Sequence, residues 1–332
     1  MRRTTLVLIV IALVALVAVF ALRTTSSGST TTTTGAPATT ASQPDPTTSV
    51  PTTAPPAPSL TIPPGSTVCD LYGTVTVTGT ITSDALVEAS GLAVSRAASD
   101  VLWSHNDSRD SARLYAFRPD GTDLGVFGVP GGFAFDWEDI AAGPADDGTG
   151  AYLYVGDIGD NFALRRGEVA IHRVVDVDPT TLDGAFPGSD PIALRYPDGS
   201  PNAEAMFVDP TDPALYLITK DRDIATVYRG PLTIDDTVHE LEHVVDIPLG
   251  AEVSGADISQ DGAVIAFRGY DTVWMWYRSP GTSIGEALTE APCEAPSPDE
   301  VQGEAIAFDG SYSYFTVSEE PHPAVYRIPF EG

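Results

Sequence analysis

Five short segments of the chain share a pattern, and the third residue of each carries an oxygen ligand. The segments are Glu88-Ala-Ser-Gly-Leu, Asp136-Trp-Glu-Asp-Ile, Asn202-Ala-Glu-Ala-Met, Glu252-Val-Ser-Gly-Ala and Gln302-Gly-Glu-Ala-Ile. Their third residues are Ser90, Glu138, Glu204, Ser254 and Glu304. If a fold brings these together, three carboxylates and two hydroxyls converge, which is costly without a cation. Hard oxygen donors in this number suit Ca²⁺, with water completing its shell. The other reading is a water-filled polar channel in which one glutamate keeps its proton.

The elements that must position these residues are strands. After Cys69, short runs rich in Val, Ile, Tyr, Phe and Trp are broken by Asp-Gly, Pro-Gly and Asp-Pro, and no long 3.6-residue period occurs. Each lead-in begins a first strand. A second follows at Val101-Leu-Trp-Ser, Tyr152-Leu-Tyr-Val, Leu215-Tyr-Leu-Ile, Val264-Ile-Ala-Phe and Tyr312-Ser-Tyr-Phe, and a third follows each. A multi-strand repeat of about 40–50 residues is the mark of a propeller blade. The expected fold is therefore all-β, a five-bladed β-propeller over residues 69–332. The fifth blade has only three strands before the chain stops at Gly332. The orphan strand Thr74–Ile81 is expected to complete it and close the ring, removing open edges. The outer strand of the fourth blade is expected near Ile284–Leu288. Cys69 and Cys293 are the only cysteines, and one disulfide between them would lock the seam.

In a propeller the second strand returns to the face where the first one begins. The second strands lead into Ser104-His-Asn-Asp-Ser, Gly156-Asp-Ile-Gly-Asp-Asn, Thr219-Lys-Asp-Arg-Asp, Phe267-Arg-Gly-Tyr-Asp and Ser318-Glu-Glu-Pro-His. Polar rim residues are thus expected around one mouth. Lys220, the only lysine, sits here with Arg222, Arg268, Arg165 and Arg166. Such cations suit a small anionic ligand, above all phosphate; they equally suit surface ion pairs with neighbouring acids. Lys220, Arg222, Arg268, Arg165, His105 and Glu319 form the expected substrate-binding rim. Asp107 and Asp157 are the candidate general bases. Asn106-Asp-Ser108 fits the glycosylation pattern.

The formal charge is −29, which disfavours any nucleic-acid polymer as partner. Met1-Arg-Arg precedes an apolar run from Leu6 to Leu22, just long enough to cross a bilayer. Residues 1–23 read as an uncleaved anchor or a cleaved signal peptide, and the anchor is preferred because no polar spacer precedes the small-residue site. Residues 24–68 are dominated by Thr, Ser, Pro, Ala and Gly and read as a disordered stalk. The expected location is outside the cell, as a monomer that touches membrane only through its N-terminus.

The order Ser90, Glu138, Glu204, Ser254, Glu304 resembles the central calcium ring of the calcium-dependent apyrases, also called calcium-activated nucleotidases, which are five-bladed propellers. Leu102-Trp-Ser-His-Asn-Asp-Ser-Arg resembles that family's strand ending in Asp-Asp-Arg, and Tyr154-Val-Gly-Asp-Ile-Gly-Asp resembles its Tyr-Val-Gly-Gly-Leu-Gly segment. Two features depart from the family. Asn106 to Arg109 interrupts the Asp-Asp-Arg run, and the family's long insertion is missing. Calcium-containing propeller phytases and sugar lactonases are more distant comparisons. The resemblance implies calcium and hydrolysis of nucleotides or other phosphate esters. Two alternatives stand beside it: a non-catalytic propeller that binds a cell-surface protein or glycan with calcium as a structural ion, and a calcium-dependent lactonase or esterase.

Overall fold

A computed structural model of the chain describes residues 60–107, 110–160 and 167–332. The apolar run Leu6–Leu22, the stalk up to residue 59, and Arg165 with Arg166 lie outside the described residues.

The described chain is a five-bladed β-propeller. Blade one is Ala89–Val94, Leu102–Asn106, Arg113–Phe117 and Asp123–Gly128, in that order from the axis outward. Blade two is Trp137–Gly143, Tyr152–Asp157, Glu168–Val175 and Asp190–Arg195. Blade three is Ala203–Asp209, Ala214–Thr219, Ala225–Gly230 and Glu242–Ile247. Its connecting chain also lends blade two a fifth, parallel strand, Val238–Glu240. Blade four is Gly255–Ile258, Val264–Arg268, Val273–Tyr277 and Cys293–Ala295. Blade five is Gly303–Phe308, Tyr314–Ser318, Ala324–Ile328 and, from the other end of the chain, Thr76–Thr80. The five innermost strands touch their neighbours in a closed circle.

The apolar core is divided into five parts, one between each pair of successive blades. Trp103 and Phe127 of blade one meet Trp137 and Val155 of blade two. Tyr154 and Ile171 of blade two meet Met206 and Leu217 of blade three, and Phe207 then meets Phe267 and Trp276 of blade four. Met275 and Ile306 fill the next interface, and Val317 with Leu92 the last. Every sheet is therefore covered on both faces. This is why the inner strands read as nearly continuous apolar runs rather than alternating ones. Local turn chemistry fits: Gly121 and Gly262 follow Asp120 and Asp261 at tight turns and adopt φ of 83° and 74°, a region where a side chain is strained.

The seam closes as the repeat requires. Thr76–Thr80 pairs antiparallel with Ala324–Ile328. Cys69 and Cys293 are bonded, with Cα atoms 6.0 Å apart. Ile284–Leu288, expected as an outer strand, is instead a short helix. Ser283 caps it, accepting from the Glu286 backbone N–H at 3.2 Å while Glu286 reaches back to Ser283 N at 2.9 Å. The outer strand falls to Cys293–Ala295, so the disulfide anchors blade four through the strand itself. Folded structure also starts earlier than residue 69. Leu60 and Ile62 pack on the blade four–five interface, and the Tyr277 hydroxyl donates to Leu60 O at 3.2 Å.

The disulfide closes a loop of 224 residues in sequence. Chain-entropy reasoning gives about 5 kcal/mol for such a loop, and measured losses run about 2–5 kcal/mol. We expect Cys69→Ala/Cys293→Ala to lower unfolding free energy within that range in urea. An unchanged denaturation midpoint would show that the seam is held by strand pairing alone.

Candidate functional site: an acidic mouth

Register places the start of each first strand opposite the end of the second. Ala89 pairs with Asn106, Trp137 with Asp157, Ala203 with Thr219, Gly255 with Arg268 and Gly303 with Ser318. These ends gather at one mouth. Just inside it the ladder slips by one residue in four blades. The extra residue falls at Ser90-Gly91, Glu138, Glu204 and Glu304. A β-bulge re-aims the side chain it inserts. Four of the five repeated oxygen-bearing residues thus sit on bulges, and Ser254 immediately precedes its strand.

All five are buried. Ser90 Oγ donates to the Glu138 carbonyl at 2.6 Å, and Ser254 Oγ donates to the Gly303 carbonyl at 2.9 Å. Each serine hydroxyl therefore ties its blade to the next. Glu204 is ion-paired with Lys220, and Glu304 accepts from Gln302 Nε2 at 2.6 Å. Glu138 differs: its Oε1 is buried and has no hydrogen-bond partner. A ligand oxygen from each of Asp107, Asp136 and Glu138 lies within 4.8 Å of the others. Gly159 leaves room here, because a Cβ on it would overlap Glu138 Oε1.

The electrostatics follow from crowding acids away from water. Burial first, then Glu204, Asp107 and Asp136, push the Glu138 carboxyl well above its ordinary range. Burial raises Glu304 to about 8 and also raises Glu204, against the opposing pull of Lys220. Glu319 is raised by burial and by Asp107. Burial works against the Lys220 ammonium, but Glu204 outweighs it and holds the lysine charged. Lys220 also lies 5.2 Å from the Tyr270 ring centroid.

One residue of the site escaped sequence reasoning. The fourth lead-in positions are Gly91, Asp139, Ala205, Gly255 and Ala305: four small residues and one acid. Asp139 is fully buried. Its carboxylate accepts from Ile140 N at 2.8 Å, from Met206 N of blade three at 2.8 Å and from Ala256 N of blade four at 3.2 Å. Blade four does not adjoin blade two, so this side chain crosses the axis and floors the mouth. The neighbours must be small: a Cβ on Gly91 would overlap the Ile140 nitrogen. The single acid in an otherwise small set was the signal.

The rim differs from expectation in several places. Arg268 is not at the opening. It is fully buried, ion-paired with Glu300 and hydrogen-bonded to Ser297 and the Tyr270 carbonyl. The glycine at 303 leaves the space its guanidinium occupies. His105 is also buried, edge-on to Trp137 at 5.7 Å, and burial lowers its pKa. The Asp157 carboxylate is buried and accepts the Asp136 and Phe135 backbone N–H groups at 2.9 and 3.3 Å, which shapes the rim loop. Asn106 is buried, and its amide donates to Ala85 O, Asp110 and Tyr115 Oη, leaving no place for a glycan. Arg222 is exposed and paired with Glu252 at 2.9 Å. Asp107 and Glu319 stand at the mouth. Arg165 lies outside the described residues.

No protein-family model and no curated protein sequence matches the chain. Among the solved structures similar to it are two at low identity. One is the PQQ-bound form of an aldose sugar dehydrogenase from Streptomyces coelicolor, at 14% identity and a TM-score of 0.41, covering 77% of this chain and 97% of that one. The other is a nidogen/laminin complex, at 14% identity and a TM-score of 0.42, covering 70% of this chain and 73% of that one.

Two outcomes are expected. Asp139→Ala strands three buried N–H groups at about 1–3 kcal/mol each, so a loss of at least about 3 kcal/mol is expected in urea unfolding. Wild-type stability in that variant would remove the cross-tie from the account. The second concerns pH without divalent cations. Carboxyls raised in the fold bind more protons folded than unfolded, so their stabilising contribution is full at low pH and lost as pH rises. Glu304 at about 8, with Asp257 and Glu300 at about 7, sets the window from roughly pH 4.5 to 8. Melting temperature should fall across it; a rise would contradict the buried-acid mouth.

Proposed function

We infer that this protein is a calcium-binding propeller displayed outside the cell, whose mouth holds the ion and serves as a binding surface. One observation carries the reading: the Glu138 Oε1 oxygen is buried without a partner, among acids that burial and mutual repulsion keep hard to ionise. Glu138, Glu204 and Glu304 supply carboxylates, Asp107 and Asp136 lie beside Glu138, and Ser90 and Ser254 add hydroxyl oxygens. An all-oxygen donor set fits Ca²⁺ rather than a softer metal. Bound there, the ion would supply positive charge and polarise any oxygen brought to it. The order of ring residues, similar to the calcium-dependent apyrases, agrees. The disulfide and the basic-then-apolar N-terminus support an oxidising, exported setting.

Hydrolysis of phosphate esters has less support than the ion. Of the described cations expected at the rim, Lys220 is bound to Glu204, Arg222 to Glu252 and the buried Arg268 to Glu300. A phosphate would have to compete with those carboxylates. A non-catalytic surface with a small number of fixed acids is the better match to this geometry.

Calorimetry of the full chain, with calcium and with excess chelator, tests the reading. A ligand that binds only the folded state raises melting temperature by mass action. Calcium should raise it, and Glu138→Gln should reduce the response. Superimposable curves would leave the propeller and remove the ion. Turnover of nucleoside diphosphates or triphosphates, dependent on calcium, would restore the hydrolase.

A further inference from the structure

The residue just before each lead-in is apolar in all five blades: Val87, Phe135, Pro201, Ala251 and Val301. These positions surround the mouth outside the acids. Among the described residues, the large apolar side chains that stand out in solvent are Val77, Val87, Phe133, Phe135, Ile224, Val238 and Val301. Val77 and Val238 lie on outer strands; the other five lie in loops on the mouth side. Phe133 is 68% exposed and Val301 83%, with Val87 and Phe135 at 40% each. Exposed apolar side chains gathered on one face mark interaction surfaces when they form a continuous patch.

The backbone that carries Phe133, Phe135 and Val87 is held in place. The Phe133 carbonyl accepts from Trp137 Nε1 at 3.1 Å and lies 3.2 Å from His172 Nε2. Phe135 N donates to Asp157, and Val87 N donates to Asn106 Oδ1 at 2.8 Å. The buried Asp157 and Asn106 thus fix exposed apolar residues from behind. Anchors that lose little entropy on binding are what a protein–protein hot spot needs.

Among the described residues the acids beside them outnumber the cations, and Arg113 is engaged by Asp110. Glu319 feels Asp107 and Glu88, and Glu138 feels Asp107 and Asp136. These acids belong to blades five, one and two, as do Val301, Val87, Phe133 and Phe135. Lys220 sits on blade three, engaged by Glu204.

We propose that the mouth over blades five, one and two docks a segment of an extracellular protein in which Lys or Arg side chains alternate with apolar ones. The basic groups meet Glu88, Asp107 and Glu319, while the apolar groups cover Phe133, Phe135, Val87 and Val301. Asp107 adjoins Glu138, and Gln302 bridges Glu304 and Glu319, so the proposal rests in part on the ring reading and is tested with calcium and with chelator.

The test pans a displayed random-peptide library against the full chain, with a glycan array in parallel. Enriched peptides should carry Lys or Arg among apolar residues. Phe133→Ser/Phe135→Ser should weaken them by about tenfold or more, as should Glu88→Gln/Glu319→Gln. Circular dichroism and melting temperature of each variant confirm that it folds, and the charge pair reports independently if the aromatic pair does not. Loss of affinity in 0.5 M salt supports the electrostatic part. No enrichment, enrichment of acidic peptides, glycan binding without peptide binding, or wild-type affinity in both double variants overturns the proposal. Calcium-dependent melting measured alongside separates this outcome from that of the ring.

Discussion

The Asp139 carboxylate is the interaction on which the rest of the mouth depends. A five-bladed ring leaves a narrow axis, and four of the five residues at that level are Gly or Ala, so one longer side chain can cross it. Asp139 crosses, taking backbone N–H groups from blades two, three and four. The consequence is a closed floor. Side chains one residue closer to the opening then have protein beneath them and walls around them. Burial, the leading cause of every raised carboxyl in the ring, follows from that closure. Asp257 repeats the device between blades four and five, accepting from Phe308 N at 2.7 Å.

Much of the architecture was legible because a propeller writes itself as a repeat. Lead-ins, second strands and the orphan strand gave blade count and closure, and two cysteines at opposite ends gave the seam. What stayed hidden depended on direction rather than composition. A β-bulge changes where Glu138, Glu204 and Glu304 aim without changing which residues are present. Arg268 ends the strand Val264–Arg268 and turns into the sheet beside Gly303, whereas Lys220 follows the equivalent strand Ala214–Thr219 and stays near the mouth. A shift of one residue decides this, and a list of rim cations cannot show it. The helix at Ile284–Leu288 was readable in principle, since Ser283 and Glu286 have capping-box spacing. Its apolar residues resembled a strand because both forms bury such a run.

Charge arithmetic at the mouth joins the structural account to the proposed one. Glu138, Glu204 and Glu304, if all ionised, carry three negative charges, and Lys220 returns one. Two remain uncompensated among these four groups in a space walled by protein, and Asp107 and Asp136 beside Glu138 add to the excess. Water cannot solvate them well there, so the structure has two ways to settle the excess: protons, which the raised carboxyl pKa values describe, or a doubly charged cation. The two compete for the same oxygens. Lys220 cannot substitute for either, because its single charge is already committed to Glu204. The serines fit the same logic. Their hydroxyl hydrogens are directed to carbonyls of the next blade, so each Oγ keeps acceptor capacity without adding charge. Carboxylates in place of the two serines would add two more negative charges to a mouth that already holds Asp107 and Asp136 beside Glu138.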